Sequence, residues 1–329
     1  MRHEKPAGLL DPDALLQRPG ARLLVLAPHP DDESLAAGGL IQRARAYAVP
    51  GSVVFVSDGE NNPWPQRALE RRLWIGSRQR DAWAARRRDE ADAAVDVLGG
   101  AAIRVIRLGW PDGGLTSRLL DDTAAMLAQM RELLARERPT ILVLPDLVDR
   151  HPDHSALHVL MEMVFQGMPR ELRPDCLGYV LHGRARSGIP RWRAQLALST
   201  DEAAGKRRAI EAHASQMAFS RKRLLRFATD EESFVAGLEC HDQSEQRLPW
   251  LPPRLMRPAL ALLLVDAHGG LRVPLVSDGN ANLRWRDGSP AAWSPRALQA
   301  PYYVKLCCTL PSPWIFDGWG WCRFGAGGA

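Results

Sequence analysis

Leu23-Leu24-Val25-Leu26-Ala27-Pro28-His29-Pro30-Asp31-Asp32-Glu33-Ser34-Leu35 is the stretch on which the reading of this chain turns. A short apolar run empties into a loop carrying one imidazole and three carboxylates within five residues. Such a loop suits a divalent metal at the carboxyl end of a strand, where open α/β sheets place their ligands. His29 and Asp32 can ligate together, because they lie close on a turn that Pro30 stiffens. Asp31 is then left beside the water that a metal would acidify, positioned to take its proton during attack on a carbonyl. The competing reading makes the acidic residues a cap for a helix starting near Ser34, with His29 on the surface.

A second stretch repeats the chemistry. Thr140-Ile141-Leu142-Val143-Leu144-Pro145-Asp146-Leu147-Val148-Asp149-Arg150-His151-Pro152-Asp153-His154 is again an apolar strand running into His and Asp. One histidine of this loop completes a His/Asp/His set with an open position, the pattern of catalytic zinc sites. The other is available to stabilise charge on the reacting carbonyl or to protonate a leaving amine. His158, one turn further on, reads as packing or surface.

With these two motifs the chain resembles the PIG-L (LmbE-like) metal-dependent N-acetylglucosaminyl de-N-acetylases. Smaller matches keep the family's order: Ser57-Asp58-Gly59-Glu60, Arg87 and Glu90, Leu108 to Gly113, and Lys206, His213, Ser215 and Gln216. The resemblance covers about residues 20–220. It implies His29, Asp32 and His154 as metal ligands, Asp31 as general base, and His151 as the group that stabilises the oxyanion or assists amine departure. Zinc is the implied metal, with ferrous iron the alternative. The resemblance also implies Arg87 and His213 around the substrate. Asp112 reads as touching substrate or only shaping its turn, Asp153 as orienting a ligating histidine, and Glu33 as doing likewise or capping the helix.

The wider pattern predicts a Rossmann-like α/β fold: a mostly parallel sheet with helices on both faces. Apolar strand candidates at 21–27, 51–57, 102–108, 140–145 and 176–182 alternate with helical patterns at 77–98, 118–137, 154–166 and 201–217. Gly38-Gly39 allows close packing of the first helix. After about residue 245 prolines and short apolar runs take over, with strands expected at 259–266, 271–276 and 282–286. Six of the eleven tryptophans lie between Trp250 and Trp321. We therefore expect a deacetylase domain over 1–245 and a small β-rich, Trp-rich extension over 246–329, acting as a lid or subdomain or simply as filler for its own core.

Charge narrows the partners. Net charge is +5, and only four of the 43 basic residues are lysines. Eight arginines between Arg67 and Arg88 face only Glu70 and Asp81, with Trp64, Trp74 and Trp83 interleaved. This reads either as a solvated face or as a surface for an anionic glycan, since arginine pairs with phosphate and indoles stack on sugars. Nucleic acid would need a more distributed basic field. The longest apolar run, Ala259–Val265, is far below the ~20 residues of a membrane span. The first residues lack a signal peptide's apolar centre, and five scattered cysteines make no disulfide framework. The expected setting is cytoplasmic, at most with peripheral contact at the inner face of the membrane. The expected activity is removal of N-acetyl from an amino sugar, anionic or lipid-linked, as in a lipopolysaccharide core. The alternatives are amide cleavage in a small sugar–thiol cofactor or antibiotic precursor, and glycan binding without catalysis.

Overall fold

The computed structural model describes residues 10–183, 193–236, 254–275, 283–286, 289–292, 301–310, 316 and 318–325. In chain order the elements are α1 (Pro12–Leu16), β1 (Leu23–Ala27), α2 (Asp32–Ala46), β2 (Gly51–Phe55), α3 (Pro63–Glu70), α4 (Ser77–Leu98) and β3 (Ile103–Arg107). There follow α5 (Leu115–Asp121), α6 (Thr123–Glu137), β4 (Ile141–Pro145), α7 (Pro152–Gln166), β5 (Asp175–Tyr179), β6 (Arg193–Ala197), α8 (Thr200–Ala212), α9 (Ala214–Leu224) and β7 (Glu231–Ala236). The last strands are β8 (Leu260–Asp266), β9 (Gly269–Pro274), β10 (Leu283–Arg286), β11 (Ser289–Ala292), β12 (Tyr302–Cys308) and β13 (Trp321–Phe324).

The chain divides into two compact units. One comprises Met1–Gly114, Leu134–Asp146 and Glu171–Gly237, the other Leu115–Leu133, Leu147–Arg170 and Leu238–Ala329. The boundary expected at 245/246 falls outside the described residues.

The first unit holds a seven-stranded sheet in the order β3-β2-β1-β4-β5-β7-β6. β1 pairs in parallel with β2 and β4, β2 with β3, and β4 with β5; β7 runs antiparallel to β5 and β6. Every residue of β1, β2 and β4 is buried, which is why these strands read as near-continuous apolar runs rather than alternating ones, broken in β2 only at Ser52, whose hydroxyl donates to Glu137 Oε2 at 2.8 Å. Chain order reverses between β1 and β4, the position at which α/β sheets bind ligands beyond their carboxyl ends. His29 follows β1 by two residues and His151 follows β4 by six.

α2, α4 and α8 pack on one another. α2 is interrupted at Ala37 (φ −136°, ψ 18°). The Glu232 carboxylate of β7 meets the break, accepting from Gly39 N at 2.7 Å, Leu40 N at 2.9 Å and Lys206 Nζ at 2.7 Å. Glu232 and Lys206 are both buried, and pairing plus the two amides offsets their desolvation. Gly38-Gly39 makes the approach possible: a Cβ on Gly39 would lie 2.2 Å from Leu198 Cδ2, and one on Gly38 3.0 Å from Lys206 Cγ.

Three expectations on elements need correction. The helix over 201–217 is two helices, α8 and α9, broken at His213 (φ −75°, ψ 58°). The reason is tertiary: the His213 ring is fixed by Glu33, while the Ser215 amide and hydroxyl both donate to Glu90 on α4. The helix over 118–137 is likewise two, α5 and α6. β6 and β7, not foreseen, are short and mix charged with apolar residues, and only Ala194, Leu196, Glu232 and Phe234 among their described side chains are buried.

The second unit contains a four-stranded antiparallel sheet, β13-β12-β8-β9, and the pair β10-β11. Leu260, Leu262, Leu264, Tyr302, Val304 and Phe324 form its core. β9 lies against α5, where Gly270 comes so close that a Cβ would be 2.5 Å from the Leu120 backbone. Gln166 of α7 donates to Tyr303 Oη at 2.9 Å. The C-terminal β-rich extension is thus present. Trp250, Trp293, Trp314 and the Asp278-Gly279-Asn280 turn lie outside the described residues.

Candidate active site

In the first unit the loop after β1 is buried, not superficial. Asp31 opens α2 at φ 118°, ψ −27°, and its side chain makes no cap hydrogen bond. A non-glycine residue there is strained by about 1–3 kcal/mol. The surrounding bonds impose it: Asp31 N donates to Glu33 Oε2 at 3.0 Å and His29 N to Asp32 Oδ2 at 2.9 Å. His29 is buried, with Nδ1 3.3 Å from Asp32 Oδ2 and Nε2 3.2 Å from Asp112 Oδ1. The capping reading of this acidic loop therefore fails for Asp31, and the surface reading fails for His29.

Asp112 is brought in by two loops that hold each other. Asn61 N donates to its Oδ2 at 2.8 Å, and Asp112 N donates to Glu60 Oε1 at 2.9 Å. Burial pushes the Asp112 carboxyl up, but His29, with Arg87 and the Asn61 amide, outweighs it and leaves the group below its ordinary value.

Arg87 of α4 is only 3% exposed. It donates to Gly59 O at 2.9 Å and to Pro30 O, and its Nη2 lies 3.7 Å from Asp31 Oδ2. Gly59 is glycine for a reason: φ is +66°, and a Cβ would fall 1.8 Å from Arg87 Nη1. Burial, aided by Asp32 and Glu33, pushes Asp31 above the usual carboxylate value against the pull of Arg87 and His213.

Glu33 and His213, both buried, lie behind the loop. His213 Nε2 donates to Glu33 Oε1 at 2.9 Å, and Ser34 Oγ donates to the same oxygen at 2.6 Å. Burial alone would lower the His213 pKa, but the Glu33 charge and hydrogen bond raise it.

In the second unit His151 caps α7, accepting from Asp153 N through Nδ1 at 3.3 Å. The His151 and His154 rings lie with centroids 5.1 Å apart, and Phe316 meets His151 edge-on at 6.2 Å. Asp153 accepts from Leu115 N at 3.1 Å. Asp149, which sequence reading passed over, bridges the two histidines: Oδ1 accepts from His151 N at 2.9 Å and Oδ2 lies 3.2 Å from His154 Nδ1. Its spacing before His154 is a signal only once α7 is known to start at Pro152. His158 faces Glu162 at 3.5 Å, both buried.

Each unit thus groups its own expected residues: His29, Asp31, Asp32, Glu33, Arg87, Asp112 and His213 in one, His151, Asp153 and His154 in the other. In the first unit His29, Asp32 and Asp112 offer nitrogen and oxygen donors of the kind a divalent cation takes, while Arg87 offsets part of the carboxylate charge beside them and Glu33 is paired with His213.

Residues 24–165 match the PIG-L family, described as GlcNAc-PI de-N-acetylase. The chain is 28% identical over 153 residues to a 1D-myo-inositol 2-acetamido-2-deoxy-alpha-D-glucopyranoside deacetylase of Corynebacterium glutamicum (strain R), covering 42% of this chain and 51% of that one. A protein of the same name from Rhodococcus jostii (strain RHA1) is 30% identical over 181 residues, covering 47% and 56%. The chain therefore spans about half the length of these relatives. Among solved structures, the fold resembles that of the N,N'-diacetylchitobiose deacetylase from Pyrococcus horikoshii (TM-score 0.50, 20% identity, 66% of this chain and 84% of that one). It also resembles that of the A40926 pseudoaglycone deacetylase Dbv21 (TM-score 0.52, 19% identity, 68% and 100%). Both motifs lie inside the segment, residues 24–165, that matches the PIG-L family model.

Proposed function

We propose that the protein is a metal-dependent hydrolase that removes the acetyl group from a 2-acetamido sugar. The family match carrying both His/Asp motifs supports this reading most directly, and the relatives' names place a 2-acetamido-2-deoxyglucopyranoside on their side of the comparison. His29, Asp32 and His154 would hold the metal, zinc in the first instance with ferrous iron as the alternative. When bound it would polarise the amide carbonyl and acidify a water.

The chain's own residues do the rest. Asp31, strained into its position and flanked by Arg87, takes the proton of the attacking water. Arg87, through Pro30 O and Gly59 O, holds the base in place. His151 stabilises the developing oxyanion and protonates the amine as the C–N bond breaks. Acetate leaves with the water's oxygen, and the water's two protons, the first by way of Asp31, end on the nitrogen, so that the amino sugar leaves as an ammonium and Asp31 and His151 return to their starting states. Asp112, fixed by Asn61 and Glu60, orients His29 or the sugar; Glu33 and His213 brace the loop.

For the rest of the substrate we propose an anionic envelope glycan, such as a lipopolysaccharide core, on the strength of the arginine-rich stretch beside the Ser57–Glu60 loop. The relatives' inositol glycoside favours a second reading, a small soluble substrate. Acetate release from the zinc-loaded protein, measured over N-acetylhexosamine substrates from monosaccharides to intact glycolipid, tests both. Release only from the large glycan supports the first, release from small sugars the second. Silence throughout, with metal bound, removes the deacetylase reading.

A further inference from the structure

The connection between α3 and α4 carries, beside the arginines assigned above to an anionic glycan, exposed leucine and indole side chains that deacetylation itself does not use. α3 stops at Arg71, which takes a left-handed φ of 52°. Beyond it Leu73 is 93% exposed and Trp74 85%, while Trp64 and Leu69 on α3 are 47% and 39% exposed. These side chains are not on a frayed segment. Gln66, fully buried, donates to Gln79 O of α4 at 2.8 Å and to Glu70 Oε1 at 2.9 Å, tying α3 to the first turn of α4. α9 packs against α3 and adds exposed Phe219, followed by Arg221, Lys222 and Arg223, also exposed.

The charge is one-sided. From Trp64 to Arg80 the sequence holds Arg67, Arg71, Arg72, Arg78 and Arg80 against Glu70 alone. Arg67 lies over the Trp64 ring at 5.2 Å. Large apolar side chains left exposed together along one short connection mark an interaction site. Leucine and indole beside arginine is the composition of the membrane interface, where the apolar groups enter the headgroup boundary and the guanidinium groups pair with phosphates. Nucleic acid would use the rings for stacking, but Leu69 and Leu73 offer none. A protein partner's contact core would be depleted in charge, unlike this one.

We propose that the α3–α4 connection, with α9, docks the protein peripherally on an anionic lipid bilayer. The docking stands independently of the catalytic reading. It has a geometric consequence for it: α3 begins two residues after Asn61, which holds Asp112 beside His29, so the loop bordering the candidate site would lie close to the lipid surface.

Flotation of the full chain with phosphatidylcholine vesicles, alone or mixed with phosphatidylglycerol, tests this at low and high salt. The wild type should float with the mixed vesicles at low salt and weakly or not at all with phosphatidylcholine. Arg71→Gln/Arg72→Gln and Leu73→Ser/Trp74→Ser should each lower partitioning roughly tenfold or more, with melting temperatures unchanged. Failure of the wild type to float with mixed vesicles overturns the proposal. So does a Leu73→Ser/Trp74→Ser protein that floats like the wild type. Binding to single-stranded DNA without binding to vesicles would assign the surface to nucleic acid instead.

Discussion

Arg87 and Asp31 face each other at 3.7 Å inside the protein, and the same guanidinium donates to the carbonyls of Pro30 and Gly59. An arginine expected at the substrate thus has its described bonds directed inward, to the backbone on either side of the candidate base. One buried cation ties the β1 loop to the loop after β2 and sets the charge around Asp31.

Asp31→Asn should separate activity from stability. Burial holds the Asp31 carboxyl above its ordinary value, so its stabilising contribution is complete below the unfolded pKa and is lost as pH rises through the folded one. At neutral pH the charge costs stability, and the metal-free Asn variant should melt above the metal-free wild type. Acetate release should fall by about 10²–10⁴-fold with bound metal retained. A variant that melts lower would mean that the Asp31 charge is no cost to the fold, and one that keeps its turnover removes Asp31 from the role of base.

Gly59→Ala tests the fixation of Arg87. The left-handed φ costs an alanine about 1–2 kcal/mol, and the overlap with Arg87 Nη1 adds to it. Urea denaturation should show a loss larger than that strain alone, and turnover should fall although Gly59 has no side chain to contribute. Wild-type stability and turnover in this variant would mean that Arg87 position is not critical.

His213→Gln should show a pH-dependent deficit. Glu33 raises the His213 pKa despite burial, so the stabilisation is fully present below the unfolded value, roughly 6.5, and is lost as pH rises through the folded value. The melting-temperature gap between wild type and variant should be widest in mild acid and narrow in alkali. A gap independent of pH would mean that packing, not the ion pair, explains it.

Asp149→Asn addresses the support of His154. Removing a carboxylate that braces a ligating histidine weakens metal binding by about 10–100-fold, readable by chelator competition on folded protein. Unchanged affinity would separate Asp149, or His154 itself, from the metal.

Lys206→Met leaves Glu232 buried with only the Gly39 and Leu40 amides. A loss of about 3–5 kcal/mol is expected from breaking such a pair, and Lys206→Met/Glu232→Gln should recover part of it. Additive losses in urea denaturation would show that the two residues are not coupled.

Sequence alone was enough for the parts of this protein whose information is local. Parallel strands buried on both faces are nearly continuously apolar, so β1, β2 and β4 were legible without a structure. His29, Asp31 and Asp32 stood out because three ligand-type residues on one short turn have few other uses, and the structure buries His29 and Asp32 on that turn. β6 and β7 escaped because strands with buried side chains only at Ala194 and Leu196 in one and Glu232 and Phe234 in the other, among the described residues, have no apolar run to detect. What only the tertiary structure decided are pairings between distant residues: Glu33 with His213, Lys206 with Glu232 and the broken turn of α2, Arg87 with Asp31. In each, a buried charge is tolerated only because the fold brings its partner from far along the chain, and a one-dimensional pattern holds no record of that distance.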